Sequence, residues 1–438
     1  MTNRSIAYAQ NLSKLIQCET ITVNENEDFS KFYNFHNVLQ QVFPLVFQNC
    51  IVEKFGASLL LRWKGQSAEK PIMFMNHQDV VSVSGDWTYP PFSGQIAQGK
   101  VWGRGTLDTK GGLFAMLCAA NELMQENFVP SNDVYFLSTA NEETTGNDAD
   151  LISKTLKERN VKFEFVLDEG GMIISEPISG AQGKFAMIGI GEKVVANLKF
   201  IAKSKGGHAS APPKDSPIVR LGKFVSACEN SNIFIPKLSD TTIYMFKKIG
   251  STMKGSMKFV LTNAKVLRPL LQKVLGKISP VAGAMLKTTI AFTMAQGSQS
   301  VNVLPQQAWI VGDMRCSHHQ GLENSIKAVT ELAKKYGIET EITQKGYESA
   351  ISPINCKAYK LIESTINECF PSVIPVPYVP NSASDCRFMD RVSENCYRFT
   401  PFTISPSQLE SVHAKDENVD VEVLCDGVDF YKTLIRKY

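Results

Sequence analysis

Long apolar runs and paired cysteines are both missing from this sequence of 438 residues. No stretch of about eighteen apolar residues occurs, so a transmembrane helix is not expected. The opening residues MTNRSIAYAQNLSKLIQCET lack the apolar core and small-residue cleavage site of a signal peptide. The ten cysteines are scattered without a CxxC pair, and we interpret them as reduced, packed thiols. These absences predict a cytoplasmic protein.

A strong charge bias and low-complexity segments are absent as well. Charged residues make up 20% of the chain, hydrophobic residues make up 43%, and the formal net charge is +3. Such a composition is typical of a soluble globular protein and gives no reason to expect a nucleic-acid partner. The length exceeds that of a single core, so it favours two domains or one large domain with an insertion.

The first part of the chain alternates short apolar runs with a helical pattern. Residues 111–128 place apolar side chains at helical spacing. The runs typical of buried strands are SLLLRW (58–63), PIMFMNH (71–77), DVYFLSTA (133–140) and FEFVLDE (163–169). Near-continuous apolar strands separated by helices predict an α/β fold, with a mostly parallel sheet covered by helices on both faces.

After Gly191 the pattern changes to one of half-exposed strands. Strands are predicted at 194–204, 288–296 and 307–315, and helices at 214–229 and 323–337. This order fits a smaller α+β domain, with helices on one face of its sheet, inserted between two pieces of the larger domain. We therefore expect a larger domain of residues 1–191 and 351–438, and an inserted domain of residues 192–350.

One segment of the inserted domain is strongly basic. Residues 241–290 contain nine Lys or Arg residues and no Asp or Glu. The simplest interpretation is a solvated helical insertion that packs on its own domain or replaces a dimer contact. The alternative is a surface that meets anionic lipid or shapes an acyl-chain pocket. Its apolar residues would serve either alternative: Met245, Phe246, Phe259, Val260, Leu267, Leu270, Leu271, Leu275 and Leu286.

Carboxylates follow the ends of several predicted strands. Asp79 follows 71–77, the pair Glu142 and Glu143 follows 133–140, Asp168 lies at the end of 163–169, and Asp108 lies in VWGRGTLDTKGG. Because the strand ends of an open α/β sheet meet in one crevice, these acids can share a site. Burying them together without a cation would be costly, whereas divalent ions neutralise them.

Three of the six histidines are candidates for a functional role. His77 ends a predicted strand, His208 lies in KGGHASAPP and His413 lies in SVHAKDENV. The others are interpreted as structural or surface residues: His36, His318 and His319. Imidazole and carboxylate together suit zinc, with cobalt or manganese as alternatives. Two adjacent ions need a bridging carboxylate and terminal ligands on each side, and one set supplies them: His77, Asp108, Glu143, Asp168 and His413.

Six motifs resemble, in order and spacing, the M20 family of di-zinc metallohydrolases. They are MNHQDVV, GRGTLDTKGG, NEETTG, VLDEGG, GGHASAPP and VHAKDENV, and the resemblance runs from about residue 10 to the C-terminus. It is closest to the carboxypeptidase S branch, which includes hydrolases of N-fatty-acyl amino acids. The features that suggest this branch are DWTYPPFSG, VLDEGG, HASAPP, the basic segment, QGSQSVNVLP and SDCRF.

The resemblance assigns a role to each metal ligand. Asp108 would bridge two zinc ions, with His77 and Asp168 completing one site and Glu143 and His413 completing the other. The larger domain would then be the catalytic, metal-binding domain. The inserted domain would be the lid, and lids of this family often pair to form homodimers, although the basic segment could block that contact.

Three further residues have implied catalytic roles. Glu142 would take a proton from the attacking water and later return it to the leaving amine. Asp79 would orient His77, since ligating imidazoles usually donate their second N–H to a carboxylate. His208 of the lid would stabilise the oxyanion, often at the site of a neighbouring subunit.

The resemblance also implies residues that bind the substrate. Arg315 in GDMR would hold a free carboxylate, and Asn302 in VNVLP would bind the substrate beside it. Arg387 in SDCRF is a second candidate, with a structural ion pair as its alternative role. A guanidinium holds a carboxylate through two hydrogen bonds. We therefore predict a two-domain zinc amidohydrolase that cleaves an N-acyl amino acid, or a peptide at its C-terminal residue.

Two other functions stay open at this point. A dipeptidase or aminopeptidase of the same family would use the same chemistry, and an aspartate at position 168 does not select between them. A non-catalytic binding protein that kept the fold would show itself by losing Glu142 or a metal ligand, and none is lost here.

Overall fold

The computed structural model describes residues 2–22, 29–144, 146–278 and 280–438. Its helices are α1 Asn3–Ile16, α2 Ser30–Val42, α3 Pro44–Asn49, α4 Lys110–Gln125, α5 Asp148–Glu158, α6 Pro217–Asn230, α7 Asp240–Gly250, α8 Gly255–Thr262, α9 Arg268–Ile278, α10 Pro280–Leu286, α11 Leu322–Lys334, α12 Lys357–Cys369, α13 Pro406–Ser411, α14 Val421–Lys437 and a 3₁₀ helix at Asp385–Arg391. Every helix among the described residues is too short or too polar to cross a lipid bilayer.

The strands of the described chain form four sheets. They are β1 Cys50–Phe55, β2 Ser58–Trp63, β3 Ser67–Met75, β4 Gln95–Ala97, β5 Lys100–Trp102, β6 Asn132–Ser138, β7 Phe165–Asp168, β8 Ile173–Ser175, β9 Lys184–Gly189, β10 Val194–Lys203, β11 Gly207–His208, β12 Thr289–Gln296, β13 Val303–Leu304, β14 Gln307–Cys316, β15 Glu339–Lys345, β16 Val373–Tyr378, β17 Cys396–Arg398, β18 Thr403–Ile404 and β19 Asn418–Asp420. Each strand and helix predicted from the sequence is found, with its ends shifted by a few residues.

The largest sheet has ten strands and is parallel at its centre. Its order is β1-β2-β6-β3-β7-β17-β9-β8-β18, with β16 paired to β9. Strand β3 runs parallel to β6 and β7, and β17 runs parallel to β7. The carboxyl ends of these central strands therefore lie at one edge of the sheet, which is where the predicted site residues begin.

Both faces of this sheet are covered by helices. Successive side chains of a strand point to opposite faces, so Ile72 and Phe74 of β3 pack into the core that contains α1, α4 and α14. Met73 and Met75 pack on the other face with Ile152 of α5. The prediction of an α/β fold with a mostly parallel sheet covered on both faces is confirmed.

A four-stranded antiparallel sheet stands apart from the first. Its order is β12-β14-β10-β15. Helices α6 and α11 pack on one face, where Phe200, Phe224 and Val329 are fully buried. A small two-stranded sheet of β11 and β13 extends from it. All these strands lie between residues 194 and 345, inside the segment predicted to be inserted.

The basic segment forms helices α7 to α10, and they do not rest on the four-stranded sheet. Their inner side chains, including Met245, Phe246 and Leu271, pack with Phe185 of β9 and Val376 of β16. An ion pair of 2.8 Å joins Lys248 of α7 to Glu363 of α12. The expectation that these helices pack on their own domain is therefore wrong, because their apolar face covers the ten-stranded sheet.

A three-stranded sheet of β4, β5 and β19 brings two distant loops together. Strand β19 pairs with β5, so that Asn418 lies opposite Trp102 and Asp420 opposite Lys100. The loop that leaves β5 carries Asp108, and the loop that enters β19 carries His413. Both loops therefore run side by side at the carboxyl edge of the ten-stranded sheet.

Candidate metal centre

Asp108 lies between two imidazole rings. Its Oδ1 is 3.0 Å from Nε2 of His77, and its Oδ2 is 2.9 Å from Nε2 of His413. The same nitrogen of His413 is 3.2 Å from Oε2 of Glu143. Each carboxylate oxygen of Asp108 therefore faces a different imidazole. The structure thus brings four of the predicted ligands into contact.

His77 is presented by the end of β3, where the strand meets the crevice. Its Nδ1 is 2.9 Å from the backbone carbonyl of Asp79 and 3.4 Å from the carboxylate Oδ1 of that residue. The nearer acceptor is therefore the carbonyl. The Asp79 carboxylate accepts the backbone N–H groups of Glu142 at 3.2 Å and Glu143 at 3.0 Å. Asp79 thus fixes both the imidazole and the turn that carries the two glutamates.

Asp168 is buried at the end of β7, beside this group. Its Oδ1 accepts the backbone N–H of Glu169 at 2.8 Å, and its Oδ2 accepts that of Cys386 at 2.9 Å. Burial raises the pKa of Asp168, while these amides and the charge of Arg398 oppose the change. Two amide donors hold the carboxylate in one orientation, as a terminal metal ligand needs.

The donor set fits divalent cations. Suitable ligand atoms of His77, Asp108 and Glu143 lie within 4.8 Å of one another. Oε1 of Glu143 is buried and has no hydrogen-bond partner among the described residues, and a buried oxygen of this kind calls for a ligand. Burial, with repulsion between neighbouring acids, also raises the pKa of Glu169 well above its ordinary value. A cation would relieve both features.

Nearby carboxylates shift the pKa values of the two imidazoles. Hydrogen bonds to Asp108 and Glu143 raise the pKa of His413 to about 10. Burial opposes the charged form of His77, but its hydrogen bonds to Asp108 and Asp79 outweigh burial and raise its pKa well above the ordinary value. Both imidazoles are therefore surrounded by carboxylates, and this mixed donor set suits a divalent cation.

Glu142 lies beside the ligands without being tied to one. Burial is the largest cause that raises its pKa well above the ordinary value; the charge of His77 opposes this, and Asp385 adds to it. A raised pKa makes the carboxylate a stronger base, which is the property that a general base needs. Asp385 itself is buried, and its Oδ2 has no partner among the described residues.

Glu417 is a fully buried carboxylate that holds the Asp108 loop. Its Oε1 accepts the backbone N–H groups of Leu107 at 2.8 Å and Asp108 at 3.1 Å. Its Oε2 accepts the N–H of Gly105 at 3.1 Å and an ion pair from Arg104 at 2.7 Å. The carboxylate therefore fixes the backbone on which the central ligand is carried.

Arg104 extends the same contact to the His413 loop. Its Nη2 donates to the backbone carbonyl of Ala414 at 2.9 Å. His413 has a φ of 61°, in the left-handed region that residues other than glycine seldom adopt. Such a conformation persists where its surroundings hold it. The pair of Arg104 and Glu417 therefore fixes Asp108 and His413 relative to each other.

The predicted lid residues lie away from this cluster. His208 is exposed on β11, and its Nδ1 accepts a hydrogen bond of 2.7 Å from the hydroxyl group of Ser210. Asn302 is also exposed, and its backbone carbonyl accepts the N–H of Ala209 at 3.0 Å. No hydrogen bond or ion pair in the described parts of the chain joins His208 or Asn302 to the four clustered ligands.

Arg315 lies on β14 and already holds a carboxylate. Its Nε is 2.9 Å from Oδ1 of Asp313, and its Nη2 is 3.2 Å from Oδ2 of the same residue. The two side chains are two positions apart on one strand, so they share a face. A substrate carboxylate at Arg315 would therefore compete with Asp313.

Arg387 faces the crevice between the two larger sheets. Its Nη1 donates to the backbone carbonyl of Ser384 at 2.6 Å, and its guanidinium lies 4.5 Å from the ring centre of Phe388. A cavity of about 650 Å³ runs along this crevice, lined by Arg387 and Phe388 on one side and by Lys193 and Asn197 on the other. Arg387 is thus placed to meet a ligand that enters between the sheets.

Sequence reasoning missed three acids of this region. They are Glu169, Asp385 and Glu417. Each lies in a motif that already contains a predicted site residue: Glu169 in VLDEGG, Asp385 in SDCRF and Glu417 in VHAKDENV. The position of each acid next to a predicted site residue is the signal that could have identified it. The residues that each acid contacts could not be predicted, because they lie on loops distant in sequence.

Imidazoles and carboxylates gathered at the carboxyl ends of parallel strands, beneath a second sheet, define a metal-dependent hydrolase. The family model described as "Peptidase family M20/M25/M40" matches residues 73–437, and the chain belongs to that family. The family resemblance that the motifs predicted is confirmed, and so is the prediction of a hydrolase.

Relatives of this chain have carboxypeptidase-like and amidohydrolase-like names. It is 32% identical to "Probable carboxypeptidase S-like 2" of Dictyostelium discoideum, over 99% of this chain and 86% of that protein. It is 28% identical to the human "N-fatty-acyl-amino acid synthase/hydrolase PM20D1", over 98% of this chain and 88% of that protein. The fold is similar to that of the M20 family metallo-carboxypeptidase Sso-CP2 from Sulfolobus solfataricus, with a TM-score of 0.74, 17% identity and coverage of 100% and 99% of the two chains.

Proposed function

We propose that this protein hydrolyses an amide bond next to a free carboxylate, as an N-acyl amino acid amidohydrolase or a carboxypeptidase. The observation that carries the proposal is the position of Asp108 between two imidazoles with Glu142 beside them. The names of the relatives in Dictyostelium and human support the choice of substrate. A dipeptidase or aminopeptidase is the competing function.

Two zinc ions would be held by the predicted ligand set, with cobalt or manganese as alternatives: His77, Asp108, Glu143, Asp168 and His413. Zinc supplies Lewis acidity, which polarises the scissile carbonyl group and lowers the pKa of the attacking water. The residues of the chain supply orientation, because Asp79 and Glu417 fix the backbone that carries these ligands.

Glu142 would move the proton in this reaction. Its carboxylate takes a proton from the water that attacks the amide and delivers it to the leaving amine. His208 would donate a hydrogen bond to the oxyanion as it forms. Arg315 would hold the carboxylate that the substrate keeps, with Arg387 as a second candidate, and Asn302 would bind the substrate beside it.

The ten-stranded sheet would belong to a catalytic domain of residues 1–191 and 351–438, and residues 192–350 would form the lid. His208 and Asn302 are exposed on that lid, so a homodimer in which each lid serves the neighbouring site would complete the active site. Edge strand β12 supports this arrangement, since TIAFTMAQ carries no charge, whereas the opposite edge β15 reads ETEITQK. Charged edges resist strand pairing and uncharged ones permit it.

A cytoplasmic location is part of the same proposal. All ten cysteines are free thiols in the structure, and unpaired thiols on this scale are typical of a reducing compartment. Fractionation of the source cells with an antibody against the protein would test it directly. Recovery in a secreted or lumenal fraction would contradict it.

A substrate screen tests the function. The zinc- or cobalt-loaded protein should hydrolyse N-acyl amino acids, and the same protein stripped with a chelator should be inactive until metal is restored. Free dipeptides are the matched panel, because they differ chiefly in the unblocked amine. A strict requirement for that amine would establish the dipeptidase alternative. Hydrolysis of neither panel would favour a binding protein.

A further inference from the structure

The outer face of the basic segment combines exposed apolar side chains with unpaired lysines. Met257, Phe259, Val266 and Leu270 are 45%, 65%, 80% and 57% exposed. All four lie within fourteen residues, on α8, on α9 and on the turn between them. An exposed apolar side chain alone is ordinary, but a group of large ones on one surface indicates a partner.

These side chains are not needed to pack the helices. The inner residues of α9, Leu271 and Leu275, lie four positions apart and pack in the cluster that covers β9 and β16. Leu270 and Lys273 lie on the opposite side and are exposed. A helix of a globular protein usually places polar residues on its outer face, so an outward Leu270 is unusual for a face that meets only water.

Exposed lysines surround these side chains. Lys254, Lys258, Lys265, Lys273 and Lys277 are exposed, and none forms an ion pair with a carboxylate among the described residues. Residues 241–290 contain no acid at all. Two cations of the segment are paired: Lys248 binds Glu363, and Arg268 binds Asp240. Both acids lie outside the segment.

From these observations we propose that the outer face of α8 and α9, here called the basic face, docks on an anionic lipid bilayer. Lysines attract the acidic headgroups, and Phe259, Val266 and Leu270 insert among the acyl chains, as an interfacial helix does. A second copy of the chain does not fit, because two basic faces would repel each other. The inference is independent of the proposed function, since it uses no residue of the metal centre.

Vesicle flotation tests the proposal. The full-length protein should float with vesicles of phosphatidylcholine that contain about 30% phosphatidylserine, and not with phosphatidylcholine alone. Added salt should weaken the binding, because it screens the lysines. Failure to float with the anionic vesicles at low salt would overturn the proposal.

Two variants separate the charges from the apolar side chains. Combined Lys254→Gln, Lys258→Gln, Lys265→Gln and Lys273→Gln should lower the partition coefficient at least about tenfold. Combined Phe259→Ser and Val266→Ser should lower it by about as much. Circular dichroism melting checks that each variant is folded, and all these positions are exposed.

Matched controls carry the same changes elsewhere. Lys64→Gln, Lys157→Gln, Lys205→Gln and Lys335→Gln alter the net charge equally at exposed positions, and Val129→Ser with Leu151→Ser removes two apolar groups that are each 53% exposed. The controls should float like the parent. Equal loss in control and basic-face variants would overturn the assignment. So would self-association of the parent, abolished by Phe259→Ser and Val266→Ser, without binding to anionic vesicles.

Discussion

The residues predicted to bind metal lie in contact with one another, whereas those predicted to bind the substrate lie apart from them. We call these two groups the assembled half and the unassembled half of the candidate site. His77, Asp108 and His413 are in direct contact and are anchored to buried groups. His208 is exposed on β11 and Asn302 is exposed just before β13, and within the described chain their hydrogen bonds stay in this part of the fold. The first half meets at one edge of the ten-stranded sheet, whereas the second would reach that edge only by movement or from another subunit.

The cause of this difference lies in sheet topology. Parallel strands deliver their carboxyl ends to one edge, so ligands from β3, β6 and β7 meet without any motion. A two-stranded sheet of two residues per strand has no core of its own, and its side chains are placed by whatever they contact. Variants of residues in each half therefore test whether the two halves differ in this way.

Glu142→Gln should have the largest effect, because it removes the proposed base from the assembled half. The rate constant kcat should fall by at least about 10²–10⁴-fold while the metal content stays unchanged. Steady-state kinetics and elemental analysis check both statements. Glu158→Gln, at the exposed end of α5, is the control and should behave like the parent. Near-normal turnover in Glu142→Gln would remove it as the base.

His208→Ala should have the next largest effect, with kcat lower by about 10²–10³-fold because one oxyanion donor is lost. Mixing tests whether the histidine serves a neighbouring subunit. Dimers that combine one Glu142→Gln subunit with one His208→Ala subunit contain one intact composite site. A refolded equal mixture should therefore regain about a quarter of the parent activity.

The mixing experiment separates the two ways of completing the site. If the lid of each subunit closes on its own metal centre, every mixed dimer is inactive and no activity returns. Light scattering on the same samples reports whether dimers are present. A monomeric protein in which His208→Ala has full activity would leave the exposed half without a catalytic role.

Sequence reasoning predicted the sheet and the ligands for the same physical reason. Apolar runs such as FEFVLDE specify buried parallel strands, and an acid at the end of such a strand must face the crevice. Position along the chain was therefore enough to place His77 and Glu143 together, whereas Asp108 is brought to them by the three-stranded sheet. Their catalytic roles stay predictions, and so do those of Glu142 and His208.

Contacts between distant segments could not be predicted in this way. The apolar side chains of α7 and α9 were visible in the sequence, but their partner Val376 lies more than a hundred residues later. Glu417 likewise acts on Leu107 and Asp108 across 310 and 309 positions. The spacing of apolar residues shows which face of a helix or strand is apolar. It does not show which other segment of the chain packs on that face.

Glu417→Gln should loosen the assembled half without touching a ligand. It leaves the buried Arg104 unpaired, which should lower the free energy of unfolding by about 3–5 kcal/mol. The affinity for zinc should fall about 10–100-fold, as it does when groups that orient metal ligands are removed. Chemical denaturation and competition with a chelator measure the two effects.

The control for that variant is Glu53→Gln. Glu53 forms an exposed ion pair of 2.8 Å with Arg159, and a pair of this kind is worth at most about 1 kcal/mol. Zinc affinity in the control should match the parent. If Glu417→Gln also matched the parent in both measurements, the two ligand loops would be held by other contacts.

Arg315→Ala should have the smallest effect, because it acts on substrate binding in the unassembled half. KM for an N-acyl amino acid should rise about tenfold with kcat little changed, as expected when a charge-assisted hydrogen bond is lost. Asp313→Asn should act in the opposite direction, since it frees the guanidinium that Asp313 now holds at 2.9 Å. Lys205→Ala, an exposed cation of the same region, is the control. An unchanged KM in Arg315→Ala, together with no gain in Asp313→Asn, would show that the pair is structural and that the substrate carboxylate binds at another cation, such as Arg387 in the crevice.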